Sequence, residues 1–230
     1  MSTLNCESCD RRHLSFFCNF DEEELHSLSV NATSNVYKKG QIIFYEGNKP
    51  LGIYCVNSGM IKVHKLGDNG KDQILRLAKQ TGILGYRAVV SGDYYTASAT
   101  TLVDSTVCFI PRNVFLNIME ANPKVSIKMA QLLSNDLRIA ETKITHLAQK
   151  PVRERLAETL MVLKDFYGLE ADGQTLSVFL TRKELANFVG TATETIIRLL
   201  SDFKKDDLVD LAGRKILIKD IPGLVRMSRL

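Results

Sequence analysis

Glu194, Ile197, Arg198 and Ser201 recur at steps of three, one and three, so on a helix they share one face. Their types suit the base edges of a DNA major groove. A guanidinium can fork two hydrogen bonds onto guanine O6 and N7, a carboxylate can accept from the cytosine N4 amine, and an Ile side chain can lie against a thymine methyl. Ile196, Leu199, Leu200 and Phe203 fall on the opposite face, where they would pack. The chemistry these residues suit is recognition of a half-site containing a G·C pair. The structural alternative is an ordinary helical hairpin in which Glu194 only caps and Arg198 is only solvated.

The elements that must position this face lie in residues 180–200, two short amphipathic patterns separated by Gly190, the plan of a helix-turn-helix. Thr181 with Glu184, and Thr191 with Glu194, each fit a capping box, in which a hydroxyl and a carboxylate satisfy amides at a helix start. Gly190 supplies the residue that tolerates positive φ in the turn. Beyond Phe203 come the apolar pair Leu208-Val209, a predicted turn over 210–214 and the strand-like 215–219, read as a β-hairpin wing. Arg214 and Lys215 at its tip could meet phosphate and add salt-sensitive affinity. The candidate DNA contacts are Thr181, Arg182, Thr193, Glu194, Thr195, Ile197, Arg198, Ser201, Arg214 and Lys215. Residues 150–230 hold 14 Lys and Arg against 12 Asp and Glu, a net of +2, so binding must rest on placed side chains rather than bulk charge.

The whole chain has 230 residues, 45% hydrophobic and 24% charged, with a net charge of +4, which suits one large or two modest globular domains. Residues 1–20 hold charges and cysteines without an apolar run of signal-peptide length, and no later stretch has the length and apolarity of a membrane span. A cytoplasmic protein without membrane contact is expected. Five cysteines without an export signal read as thiols or metal ligands rather than a disulfide framework.

Between 37 and 111, short apolar runs at 42–45, 53–56, 60–63, 74–77 and 107–110 alternate with glycine-marked turns, the pattern of a small sandwich or barrel. From Pro123 the pattern becomes helical. Leu133, Leu137, Ala140, Ile144 and Leu147 recur at alternating steps of four and three, a coiled-coil seam through which two copies could pair. Val125, Met129, Leu132 and Ile139 lie on another face that could rest on the barrel. Pro151 stops or kinks the helix. The fold class expected is α+β: an N-terminal β-roll of jelly-roll type, a long dimerisation helix and a C-terminal winged helix-turn-helix. The expected domains are a Cys-containing segment at 1–20, the sensory roll at 21–122, the dimer helix at 123–150 and the DNA-binding domain at 151–230.

This order resembles the Crp/Fnr family of bacterial transcription regulators from Asp21 onward. The resemblance is carried by Lys39-Gly40-Gln41, Glu46-Gly47, Ser58-Gly59, Gly82-Ile83-Leu84-Gly85, Val107-Cys108-Phe109-Ile110-Pro111, Glu154-Arg155-Leu156-Ala157, Thr181-Arg182 and Glu194 through Leu200. It implies a homodimer that binds double-stranded palindromic DNA and works with RNA polymerase, with Glu194 and Arg198 on the family's main base-reading positions, often for a TGA-like half-site. Ile197 replaces a small or polar residue. Ala192 stands where the family has a capping Ser or Thr, so the box at Thr191 and Glu194 would be a substitute.

The same resemblance frames the cofactor question, which the residues leave open. The family's cyclic AMP branch uses a Gly-Glu pair and an Arg-Ser or Arg-Thr pair; here those places read Gly85-Tyr86 and Tyr95-Thr96. Without the Arg a cyclic phosphate loses a charge-assisted bidentate partner, and no tight cyclic AMP binding is expected. Arg87 could hold another anion, giving a candidate effector pocket of Gly85, Tyr86, Arg87, Tyr95 and Thr96, or could sit in a structural salt bridge. A second branch holds an iron–sulfur cluster on three N-terminal cysteines and one in the roll. Cys6, Cys9 and Cys108 resemble three of these, while Ser15 stands at the fourth place and Cys18 three residues on. Thiolates suit such clusters and a hydroxyl does not, so either Cys18 swings in or no cluster forms. Zinc on Cys6, Cys9, His13 and Cys18, and haem on His64, are the other metal alternatives, against buried or simply exposed side chains. No nucleophile triad, paired-carboxylate signature, P-loop or Rossmann motif is present, so no enzyme is expected. The rival reading is a redox or metal sensor whose winged domain docks protein.

Overall fold

The computed structural model describes residues 16–67 and 70–228. The chain divides into two compact units, 1–138 and 139–230. In the first, helix α1 (Glu22–Asn31) precedes strands β1 (Thr33–Tyr37), β2 (Ile42–Phe44), β3 (Gly52–Ser58), β4 (Met60–Leu66), β5 (Asp72–Lys79) and β6 (Ile83–Leu84). Helix α2 (Tyr86–Ser91), strands β7 (Ser98–Thr101) and β8 (Ser105–Pro111) and helix α3 (Arg112–Ala121) follow. The strands form two antiparallel four-stranded sheets, ordered β1-β8-β3-β6 and β2-β7-β4-β5. Every apolar run expected to be extended falls on one of these strands, except that Tyr45 lies beyond the end of β2.

Strand alternation sends neighbouring residues to opposite faces, and β3 with β8 shows the result. Val56 and its partner Val107 join Ile61, Leu84 and Ala99 in one core. Ile53 and its partner Ile110 join a second core with Leu28, Phe115, Val125 and Met129. That second core explains the helices the strand pattern did not announce: α1 and α3 cover a sheet face that would otherwise be wet. A short 3-10 helix, Phe16–Asn19, adds Phe16 and Phe17 to the same core.

Helix α4 (Pro123–Gln149) runs 27 residues without a break, and the division between the units falls within it. Val125 and Met129 are buried, as their spacing implies, and Leu132 packs against the same cluster together with Leu133, the first position of the expected dimer seam. Ile139 does not join them: it is 50% exposed. Pro151 ends α4 and becomes the N-cap of α5 (Val152–Tyr167).

The second unit continues with α6 (Arg182–Val189), α7 (Thr193–Lys205), the hairpin β9 (Val209–Ala212) and β10 (Lys215–Ile218), and α8 (Ile221–Ser228). The hairpin turn is only Gly213-Arg214, tighter than the 210–214 span expected, with Asp210 and Leu211 already paired in the ladder. Gly190 caps α6 at φ 77°, ψ 54°. A Cβ in that left-handed region costs roughly 1–2 kcal/mol. Gly190→Ala is therefore expected to destabilise the protein by about that amount, read as a lowered midpoint in urea melts; an unchanged midpoint would show that the turn accommodates a side chain.

Candidate DNA-reading face and sensory roll

α7 separates its two faces as the residue types require. Ile196, Leu199, Leu200 and Phe203 are buried, while Glu194, Ile197, Arg198 and Ser201 are exposed. An Ile left 54% exposed among charged neighbours gains nothing from water, and it can bury its surface against a thymine methyl. Among the described residues, neither Glu194 nor Arg198 has a side-chain hydrogen bond or ion pair.

The capping of the two helices differs from expectation at one end. Thr181 forms its box: Glu184 N donates to Thr181 Oγ1 at 3.1 Å, and Thr181 N donates to Glu184 Oε2 at 2.7 Å. No such box forms at Thr191. The amides of Gly190 and Thr191 both bond to Ala186 O, which spends Thr191 on closing α6, and α7 starts one residue later on Ala192 without a side-chain cap. The Glu194 carboxylate is thereby released from the capping duty that would compete with base reading.

The remaining candidate contacts are divided. Thr193 and Thr195 lie half-buried on the first turn of α7, and Arg214 is exposed at the wing tip. Thr181 spends its hydroxyl on Glu184. Arg182 donates through Nη2 to Gly213 O at 3.1 Å, bracing the wing turn, while its Nη1 is buried without a partner. Lys215 pairs with Glu170 at 2.9 Å and lies over the Phe179 ring.

In the roll, the two tyrosines among the five effector-pocket positions turn inward. Tyr95 stacks on Phe44 at 4.1 Å and donates its hydroxyl to Gly52 O at 3.1 Å. Tyr86 is fully buried; its hydroxyl donates to Asp136 of α4 and accepts from Arg76 Nη1 of β5 at 2.6 Å. Arg76 also lies 3.5 Å from Asp136 Oδ2 and faces the Tyr86 ring. Burial pushes the Tyr86 phenol up to about 12, Asp136 adding to the effect of burial and Arg76 opposing it. Where a cyclic nucleotide would need an acid and a guanidinium, this chain supplies two phenols already engaged with protein, so the residues do not fit that ligand. Gly85, at φ 80°, suits glycine, since a side chain there would be strained and its Cβ would press on Gly52 O at 3.2 Å; Arg87 and Thr96 are exposed. Arg76 and Asp136, 60 positions apart, escaped the sequence reading because nothing local marks them.

The metal candidates fare unevenly. Cys6, Cys9, His13 and Ser15 lie outside the described residues, and Cys18 lies in the 3-10 helix. Cys108 is buried on β8 opposite Cys55, with no disulfide between them. His64 is not an open ligand: Nδ1 is 2.5 Å from Asp72 Oδ1 and Nε2 is 2.8 Å from Thr100 Oγ1. With both ring nitrogens already facing protein partners, a haem iron would have to displace one of them.

A β-roll, a long helix with exposed apolar residues and a winged helix-turn-helix with an unpartnered polar face define a DNA-binding regulator with a sensory domain. Comparison with known proteins gives the same result. A profile described as a cyclic nucleotide-binding domain matches residues 34–122, and one described as a Crp-like helix-turn-helix domain matches 154–227. The fumarate and nitrate reduction regulatory protein of Vibrio cholerae is 27% identical over 98% of this chain and 90% of its own length. The regulatory protein HlyX of Actinobacillus pleuropneumoniae is 27% identical over 96% and 93%. Among solved structures, FixK2 from Bradyrhizobium japonicum superposes with a TM-score of 0.78 at 22% identity, covering 86% of this chain and 97% of that one. The chain belongs to the Crp/Fnr family of transcription regulators.

The Tyr86 network makes a pH-dependent prediction. Its phenol holds its proton more tightly folded than unfolded, so the stability it contributes is present below the ordinary value of 10.0 and lost as pH rises towards about 12. Tyr86→Phe takes the hydroxyl donor from Asp136, leaving it Arg76, and is expected to cost about 1–3 kcal/mol near neutral pH. The gap from the parent should shrink between about pH 10 and about pH 12 as the parent loses the proton. Urea melts at both ends of that window check it, and a constant gap would sink the assignment.

Proposed function

We propose that the protein binds a palindromic site in double-stranded DNA as a homodimer, with Glu194, Ile197 and Arg198 of each copy reading base edges and Arg214 of each wing meeting phosphate. The observation that carries this reading is the exposed face of α7, whose Glu194 and Arg198 have no side-chain partner within the described chain. Thr193, Thr195 and Ser201 flank the reading residues, while Thr181, Arg182 and Lys215 contribute by holding the turn and the wing. Pairing is assigned to the seam on α4, where Leu137 is 60%, Ile144 66% and Leu147 39% exposed, with Ala140 between them. Burying such a stripe against a second copy removes it from water. A two-fold dimer presents its reading helices to half-sites roughly 34 Å apart.

Regulators of Crp/Fnr type bind DNA and act as dimers. For this member we assign control to the roll by a signal other than cyclic AMP, supported by the engaged hydroxyls of Tyr86 and Tyr95. RNA polymerase is the second macromolecular partner proposed, and the cytoplasm the place of action, in keeping with a DNA target and with helices too short or too polar to cross a membrane among the described residues. The role is regulatory rather than catalytic.

Two variants test this reading. Arg198→Ala should weaken specific duplex binding by about 1–3 kcal/mol and relax preference at one G·C position, measured by titration against the selected site and its single-base variants. Unchanged affinity and preference would hand the face to a protein partner instead. Leu137→Glu with Ile144→Glu should place two carboxylates in the seam and leave a folded monomer in sedimentation, with affinity for the palindrome reduced to that for a single half-site; a persistent dimer would put the pairing surface elsewhere.

A further inference from the structure

Arg155, on the first turn of α5, spreads one guanidinium over main-chain carbonyls that belong to two other helices. Nη1 donates to Lys150 O at 2.8 Å and reaches Leu147 O at 3.5 Å; Nε donates to Val189 O at 3.2 Å and Nη2 to Gly190 O at 3.1 Å. α4 ends at Gln149 and α6 at Val189. The four acceptors are therefore carbonyls at or just past two helix C-termini, where the last turn has no intrahelical donors and the helix dipole is negative. A planar fork with five donors can satisfy both ends at once; an ammonium on a flexible stem cannot.

Two further links cross the same joint. Glu158 of α5 holds His146 at 2.8 Å and Lys150 at 3.1 Å, and Lys150 also donates to Ser228 O. Lys143 of α4 lies 4.5 Å from the Phe188 ring centroid of α6. The last turns of α4 are thus fixed to the turn that sets where α7 begins. Arg155 is half-buried and lies on α5, away from the reading face of α7.

We propose that Arg155 is a positioning residue for DNA recognition: it clamps the C-terminal end of α4 to the α6–α7 turn and so fixes the spacing at which two reading helices can engage DNA. The inference rests on the homodimer reading, because α4 also carries the proposed seam. Spacing between half-sites is then transmitted through the carbonyls that Arg155 holds. A loosened clamp leaves each reading face intact and lets the pair adapt to the wrong separation.

The test compares full-length parent and Arg155→Lys on a palindrome of optimal spacing, on the same palindrome lengthened or shortened by one and two base pairs, and on a single half-site. Sedimentation and circular dichroism run alongside. The variant is expected to lose about tenfold in affinity at optimal spacing, to change by less than about twofold on the single half-site, and so to show a flattened dependence on spacing. A uniform loss on every duplex, half-site included, would make Arg155 a stabilising or DNA-contacting residue and overturn the proposal, as would no loss at all. Should Arg155→Lys fail to fold, Glu158→Gln decides, since it loosens the parallel brace: flattening supports the clamp, and a uniform loss or none rejects it. A parent that sediments as a monomer without preference for the palindrome would sink the dimer reading, and this inference with it; a dimeric parent whose spacing dependence survives both substitutions would sink the clamp alone.

Discussion

α4 has to satisfy several neighbours with the faces of one helix, and the rest of the molecule is arranged around that constraint. Its first turns bury Val125 and Met129 against the roll. One turn past Leu132, Asp136 reaches Tyr86 and Arg76, also of the roll. Further on, Leu137 and Ile144 stay exposed, and the last residues give their carbonyls to Arg155. Since a side-chain face returns only every 3.6 residues, these duties cannot be exchanged without turning the whole helix. A rotation that improved one would spoil the next.

How much was legible in the sequence depends on how far apart the partners lie along the chain. The two faces of α7 follow from spacing alone, because the helix period sorts Ile196, Leu199, Leu200 and Phe203 from Glu194, Ile197 and Arg198. The Thr181 box and the break at Pro151 are equally local. The box at Thr191 was misread because the amide of Thr191 is drawn back to Ala186 O, a competition between two helix ends that residue types do not display. The tripartite contact of Arg76, Tyr86 and Asp136, the pairing of His64 with Asp72 and Thr100, and the spread of Arg155 all join residues brought together by topology. α1 and α3 were missed for a related reason: the sheet face they cover is known to need covering only once the sheet exists.

The roll also shows how a fold and its ligand chemistry come apart. Residues 34–122 match a cyclic nucleotide-binding profile, yet a profile responds to strand lengths, turn glycines and core volumes across the whole domain. Gly85 retains its left-handed backbone. The tyrosines near it help fill the core, and Tyr86 is among the largest fully buried side chains of the described residues. The architecture is held by buried volume, whereas contacts to a cyclic nucleotide would depend on a few polar groups that can be exchanged without disturbing it.

A link that depended on a diffusing metabolite would hold only in the molecules that had captured one. Here an analogous link is made by Asp136, a group covalently joined to the element it secures. Its local concentration is set by chain geometry, so it is the same in a starved cell as in a fed one and does not fall on dilution. What sets the strength of this link is three side-chain contacts and the proton on the Tyr86 phenol.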